Sequence, residues 1–390
     1  MHAANELPCR RDLFFLEPED HYLNCAYMAP LSRAVEAAGE AGLRRRRRPF
    51  EIRPQDFFTT SEHVRAAFAR VIGAREPQRV AILPSVSYGI AIAARNLPLA
   101  AGQTVVIAAE QFPSNVYAWR EAARRAQAEL VTVAAPETQG SRAEAWNDAL
   151  LRAIDARTAV VALPHTHWVD GTRFELERIG ARARAHGASL VIDGTQSVGA
   201  LPFDLEAIRP EALVCAAYKW LLGPYGLAYG WFGPRFDAGE PLEWNWIARE
   251  GSEDFRSLLA YRDALAPGAV RYDVGERSDF VRLPMALAAL ELVHELGAER
   301  IQRYAARLIE PALEEARALG FRCEESAGRG AHLIGLRADP PLDAERVQSI
   351  LREERVHLSQ RGEVLRVSPH VYNDAGDAAA LMRALRRLAS

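Results

Sequence analysis

Leu190-Val-Ile-Asp-Gly-Thr-Gln-Ser-Val-Gly199 decides how this chain reads. A short apolar run ends on a carboxylate, Asp193, and small residues follow. Val and Ile at successive positions, with no polar alternation, mark a strand buried on both faces, as in a parallel sheet. Working outward, comparable runs recur at 80–83, 104–108, 130–133, 159–163, 189–192, 212–215 and 227–231. Amphipathic helical patterns lie between them, at 88–96, 115–127, 143–154 and 175–186. Strand–helix alternation predicts right-handed crossovers and a sheet covered on both sides. The expected fold class is therefore α/β, with a mostly parallel seven-stranded sheet. Ligands of such sheets gather beyond the carboxyl ends of the strands, so Asp193 stands where chemistry is to be sought.

Past residue 241 the pattern changes. A loop-rich aromatic stretch (Trp244, Trp246, Phe255, Tyr261, Tyr272) leads to helical patterns at 283–296 and 298–319. Strand patterns at 333–336 and 364–367 and helical ones at 343–353 and 375–388 follow. The expected organisation is a large α/β domain over residues 20–260 and a smaller α+β domain built from 1–19 and 261–390.

Composition narrows the classes. The chain has 390 residues, 49% hydrophobic and 25% charged, which suits a globular protein of two domains and excludes disordered or collagen-like chains. Lys+Arg 48 against Asp+Glu 51 leaves a net charge of -3, so no global field gathers nucleic acid or anionic membrane. The one dense charge run, Arg44–Arg48, has no interleaved aromatic and reads as a solvated helix end or subunit-contact patch. Four cysteines without a CxxC are too few for a disulfide framework. The first 15 residues carry Glu6, Arg10, Arg11 and Asp12, and no apolar run approaches membrane-span length. The expected location is the cytoplasm.

One count says more. Of the 48 basic residues a single one is lysine, Lys219. Arginine serves wherever positive charge alone is needed, but only an ammonium readily loses its proton and attacks a carbonyl. A coding bias against lysine could leave one by chance, so the neighbourhood has to decide. Lys219 lies in Ala217-Tyr-Lys-Trp-Leu-Leu-Gly-Pro-Tyr-Gly226, just past a strand, as Asp193 does. A carboxylate and a lone lysine at one sheet edge suit pyridoxal 5′-phosphate, the lysine forming an internal aldimine and the aspartate pairing with the pyridine nitrogen.

Asp193-x-x-Gln196, followed by Lys219 and Gly-Pro-x-Gly, resembles the class V aminotransferase superfamily of fold-type I pyridoxal-phosphate enzymes. That group includes cysteine desulfurases, kynureninases and isopenicillin N epimerase-like proteins. The likeness runs from Tyr22-Leu-Asn-Cys-Ala-Tyr-Met-Ala-Pro30 to Arg366. It implies further roles. Leu83-Pro-Ser-Val-Ser-Tyr-Gly-Ile90 would cradle the phosphate through Ser85, Val86 and Ser87, a strand end feeding a helix start. Ser85 or Ser87 as plain N-caps is the bland alternative. Tyr218 would give its hydroxyl to the phosphate, Phe112 would stack on the ring and Gln196 would bond the phenolate oxygen. Trp168 stands where many relatives have asparagine near the cofactor. Arg366, between Leu365 and Val367, would hold the substrate carboxylate, with Asn24 and Ala26 close by. Ser278 would reach a neighbouring subunit's phosphate, in a homodimer with a shared active site.

His165 and His167 have no third ligand at metal spacing, and no metal is expected. The desulfurase cysteine is absent too: the corresponding loop, Val356-His-Leu-Ser-Gln-Arg-Gly362, carries Ser359. Aminotransferase-type chemistry on an amino acid is the expectation. Two alternatives stay open: a lyase, hydrolase or epimerase using the same cofactor, or a regulatory protein that binds it without catalysis.

Overall fold

The computed structural model describes residues 6–138 and 140–390. A short strand, β1 (His21–Tyr22), precedes helices α1 (Arg33–Arg45) and α2 (Asp56–Val71). The main sheet then assembles from β2 (Val80–Leu83), β3 (Thr104–Ala108), β4 (Glu129–Val133), β5 (Thr158–Pro164), β6 (Ser189–Asp193), β7 (Ala212–Ala216) and β8 (Ala228–Phe232). Interleaved are α3 (Val86–Asn96), α4 (Tyr117–Ala126), α5 (Arg142–Ala153), α6 (Leu176–Ala185) and the single turn α7 (Leu205–Ile208). All seven strands fall on the apolar runs of the sequence, with ends moved by a residue or so.

Spatial order is β2-β8-β7-β6-β5-β3-β4. Strand β8 runs antiparallel to β2 and β7, and every other pair is parallel. Only residues 217–227 join β7 to β8, and a parallel return needs about a dozen or more for its crossover. Parity along each strand divides the core. Leu190, Ile192, Leu213 and Cys215 face α2, α5, α6 and α8 (Arg282–Leu296) on one side. Val191, Ala212 and Val214 face α3 and α4 on the other. Each fully buried Val, Leu or Ile contributes about 1.5–3 kcal/mol. Helix α3 comes so close that a Cβ on Gly89 would lie 2.7 Å from a methyl of Val214, so this position tolerates no side chain.

Beyond α8 come α9 (Ala298–Ala318), β9 (Ile334–Arg337), α10 (Ala344–Glu353), β10 (Val356–His357), β11 (Ser359–Arg361), β12 (Val364–Val367) and α11 (Ala375–Ala389). A three-stranded antiparallel sheet, β11-β12-β9, packs its apolar side on α9, α10 and α11. The sequence pattern contains β9 and β12 but not β11, because Ser-Gln-Arg lacks apolar alternation. Strand β1 pairs parallel with β10, and Asn24 bridges to Ser368. These pairings bring the residue 22–30 segment against the C-terminal sheet.

Arg44–Arg48 lie at and just beyond the end of α1, exposed. Arg44 pairs with Glu40, Arg45 with Asp56 and Arg48 with Glu51. Cations at a helix C-terminus are favoured by its dipole. Among the described residues no helix is long and apolar enough to cross a membrane.

Candidate active site

Strands β2, β3, β5, β6 and β7 point their carboxyl ends to one edge of the sheet, where β8 begins. The loops there enclose a cavity of about 370 Å³, within the range of small-molecule sites. Its wall contains Ser85, Val86 and Ser87 after β2, Phe112 after β3, Trp168 after β5, Asp193 and Gln196 after β6, and Tyr218 and Lys219 after β7.

Lys219 is buried, 6% exposed, beneath two aromatic rings. Its Nζ lies 5.5 Å from the Phe112 ring centroid and 5.6 Å from that of Tyr218. Burial, reinforced by the Arg366 charge and opposed by Asp193, pulls its pKa down to about 8. An amine so placed is partly neutral near pH 7. Asp193 moves the other way: burial pushes its carboxyl up, while Thr195 and Lys219 draw it back. The Thr195 backbone N–H donates to Asp193 at 3.0 Å. A buried carboxyl under that penalty is stabilised as an anion by a cationic partner in the cavity.

The wall between β2 and α3 is built locally. Ser85 caps α3, its Oγ accepting from the Tyr88 N–H at 3.2 Å and lying 3.0 Å from the Ser87 hydroxyl. The N-terminal N–H groups of an eleven-residue helix therefore face the cavity beside two hydroxyls, a ready anion cradle. Ser85 is thus both N-cap and wall residue.

Gln196 is oriented from behind. The Trp220 indole N–H donates to its Oε1 at 2.9 Å, and its Nε2 donates to the Ala26 carbonyl at 3.1 Å. Trp220 can only donate, so the carbonyl end of Gln196 must face it, and of the two amide N–H groups one goes to Ala26 and one is left over. His332 Nε2, 2.8 Å from the Gln196 carbonyl oxygen, secures the same loop. Gly199, at φ +100°, completes the turn, where a Cβ would fall 2.4 Å from the Trp220 carbonyl oxygen. Sequence reasoning missed Trp220, His332 and Thr195. The last sits inside Asp-x-x-Gln and was legible, but the first two are joined to Gln196 only by tertiary contacts.

Four expected site residues lie outside the cavity wall. Arg366, on β12, is 1% exposed and sits behind Trp168, with Nη1 donating to the Trp168 carbonyl at 2.9 Å. Its Nε and Nη2 have no partner, and among the described residues it meets no carboxylate. Asn24 accepts from the Ser359 hydroxyl at 2.9 Å, and the Ala26 N–H donates to Ser368 Oγ at 3.1 Å. Both brace the segment against the C-terminal sheet. Ser278 is not among the wall residues of this chain's cavity, and its hydroxyl donates to the Phe57 carbonyl at 2.5 Å. Trp168 is held by its indole N–H on the Glu110 carbonyl at 2.7 Å and packs edge-on to Phe112. His165 packs on Phe203, and His167 Nδ1 lies 3.1 Å from Asp170. The two rings therefore serve different partners.

The class-V aminotransferase family model matches residues 48–237, the stretch that carries Ser85, Phe112, Trp168, Asp193 and Lys219. Just under half of the chain is thus similar to the class V aminotransferases. The chain is 27% identical to the uncharacterized aminotransferase YcbU of Bacillus subtilis over 314 residues, 80% of each chain. It is 25% identical to the isopenicillin N epimerase of Streptomyces clavuligerus, over 83% of each. The solved cysteine desulfurase of Thermococcus onnurineus NA1 superposes with a TM-score of 0.83 at 19% identity, covering 97% of each chain, a likeness of fold. The site fits pyridoxal 5′-phosphate on its own chemistry. A lone amine stands beside a carboxyl in need of a cation, and a helix start offers N–H groups with two hydroxyls.

Proposed function

We propose that this chain is a pyridoxal-phosphate enzyme of aminotransferase type that acts on an α-amino acid, the cofactor being attached through Lys219. The observation that carries the reading is the only lysine of the sequence, buried at the cavity wall with its pKa drawn down to about 8 and with Asp193 beside it. When bound, the cofactor supplies an electron sink for charge developing at the substrate Cα.

The residues divide the remaining work. Asp193 stays ionised against the protonated pyridine nitrogen. Ser85, Ser87, the Val86 N–H and the Tyr218 hydroxyl hold the phosphate. Phe112 and Trp168 bound the ring, and Gln196 donates from Nε2 in the orientation Trp220 imposes. The Arg366 fork takes the substrate α-carboxylate, satisfying donors that are otherwise orphaned. Lys219 Nζ would be the base that takes the Cα proton. Its lowered pKa leaves a useful neutral fraction for that role.

A second reading, elimination or epimerisation, uses the same residues and is supported by the kinship with an isopenicillin N epimerase. Persulfide chemistry is disfavoured: Ser359 stands in the loop, and burial pushes the Cys25 thiol up to about 12. A homodimer is proposed as well. Tyr225 lines the cavity yet is 68% exposed, and Trp244 and Tyr261 are 61% and 97% exposed, apolar surface that a second subunit would cover. Light scattering should give twice the chain mass.

Borohydride reduction of purified, cofactor-loaded protein should fix the label on the peptide containing Lys219. It should also abolish the single cut made by a lysine-specific protease. Unaltered cleavage sinks the assignment. Turnover that needs an oxo-acid acceptor marks transamination, ammonia release without one marks elimination, and loss of optical rotation alone marks epimerisation.

A further inference from the structure

Two arginines of the C-terminal sheet are left without carboxylates where most of their neighbours are paired. In β11–β12 the register sets Ser359 opposite Arg366 and Arg361 opposite Val364. Arg361 and Arg366 thus project from one face of the hairpin as diagonal neighbours, within reach of one another. Nearby guanidiniums are neutralised: Arg142 and Arg337 both meet Asp170, and Arg329 meets Glu310. Neither Arg361 nor Arg366 has such a partner among the described residues. The Nε of each and Nη2 of Arg366 are buried with no acceptor. Arg361 donates only to its neighbour's carbonyl, Gln360 O, at 3.1 Å.

Both guanidiniums converge on Trp168. Arg366 holds its carbonyl, and the Arg361 guanidinium carbon lies 5.7 Å from the centroid of its ring. That ring lines the Lys219 cavity. The two charges are also felt at the cavity: each helps lower the Lys219 pKa, and Arg361 helps lower that of Arg366 to about 10. Two cations held side by side in a partly buried place, short of acceptors, are a standing electrostatic cost that bound anions relieve. One α-carboxylate satisfies one fork. The second cation is half-exposed and stands further out along the same face.

On the reading of Lys219 and Arg366 given above, we infer that the substrate is a dicarboxylic amino acid, its α-carboxylate on Arg366 and its side-chain carboxylate on Arg361. Trp168, which both guanidiniums touch, would help set the spacing of carboxylates that the site accepts. Arg361 is accordingly a specificity-determining residue.

The test uses ligands without an amine, so it does not depend on Lys219 chemistry. Calorimetric titration of the cofactor-loaded protein with succinate and glutarate is compared with butyrate and valerate at pH 7 and low salt. The better diacid should bind roughly tenfold or more tightly than its monoacid counterpart. Arg361→Gln should erase that preference while changing monoacid affinity less than about twofold, and Arg361→Lys should keep most of it. Equal affinity for diacids and monoacids in the unaltered protein overturns the inference, and needs no variant. Equal loss for both classes in Arg361→Gln overturns it too, because Arg361 would then share one carboxylate or merely brace the hairpin. Labelling of Lys219 with no diacid preference removes this inference alone. Diacid preference without labelling removes the cofactor assignment alone.

Discussion

The pH at which the cofactor attaches tests the electrostatics of the site directly. Attachment requires a neutral amine. An ordinary lysine, with a pKa near 10.5, is neutral in only about one molecule in 3,000 at pH 7. With Lys219 at about 8, the neutral fraction is about a tenth, a gain of roughly 300-fold in reactive amine. The rate of cofactor loading into apoprotein should therefore climb about tenfold per pH unit below 8 and level off above it. The causes predict opposite shifts. Burial acts first and is common to all variants; Arg366 lowers the value and Asp193 raises it. Arg366→Gln should move the midpoint up by about one unit and slow loading at pH 7 by up to tenfold. Asp193→Asn should move it down. Stopped-flow growth of the visible absorbance band measures the rate. Because no other ε-amine exists, trinitrobenzenesulfonate at limiting concentration gives an independent titration once the α-amine is blocked. A midpoint near 10 in the unaltered protein, or the same direction of shift in both variants, refutes the reasoning.

Three further outcomes are expected. Asp193→Asn should still take up cofactor but lose at least about 100-fold in turnover, as when one preorganised charge is removed from a reacting centre; steady-state kinetics at saturating cofactor checks this. Cys25→Ala should leave turnover within about threefold, since a buried thiol at about 12 supplies no nucleophile at neutral pH; a loss beyond 100-fold would return persulfide chemistry to consideration. Asp273 takes both arms of Arg65, a third contact from Arg277 and the Ile82 N–H at 2.8 Å, with its side chain wholly buried. Asp273→Asn should thus cost about 3–5 kcal/mol in urea unfolding, because two buried guanidiniums lose their shared buried anion and Arg65 keeps only the half-exposed Glu62. A change below about 1 kcal/mol would show that water reaches them.

Residue order alone carried the frame and the placing of Asp193 and Lys219 at one sheet edge. Buried parallel strands announce themselves as unbroken Val, Ile and Leu runs, so all seven strands and the sheet edge that collects the chemistry were readable. The common place of Asp193 and Lys219 was readable because Asp193 ends such a run and Lys219 follows one closely, and the residue count singled out the one lysine among arginines. Tertiary structure decided the rest. Strand β11 carries no periodic signal, yet its register against β12 is what sets Arg361 beside Arg366. Trp220 and His332 read as core residues until folding brings one to the side chain of Gln196 and the other to its backbone. Ser278, read as reaching a neighbouring subunit's phosphate, donates its hydroxyl within this chain to the Phe57 carbonyl, a contact between distant segments. The physical reason is common to all of these: a strand's burial is a local property of its own side chains, whereas a hydrogen bond or an unpaired charge is defined by what distant segments bring to it.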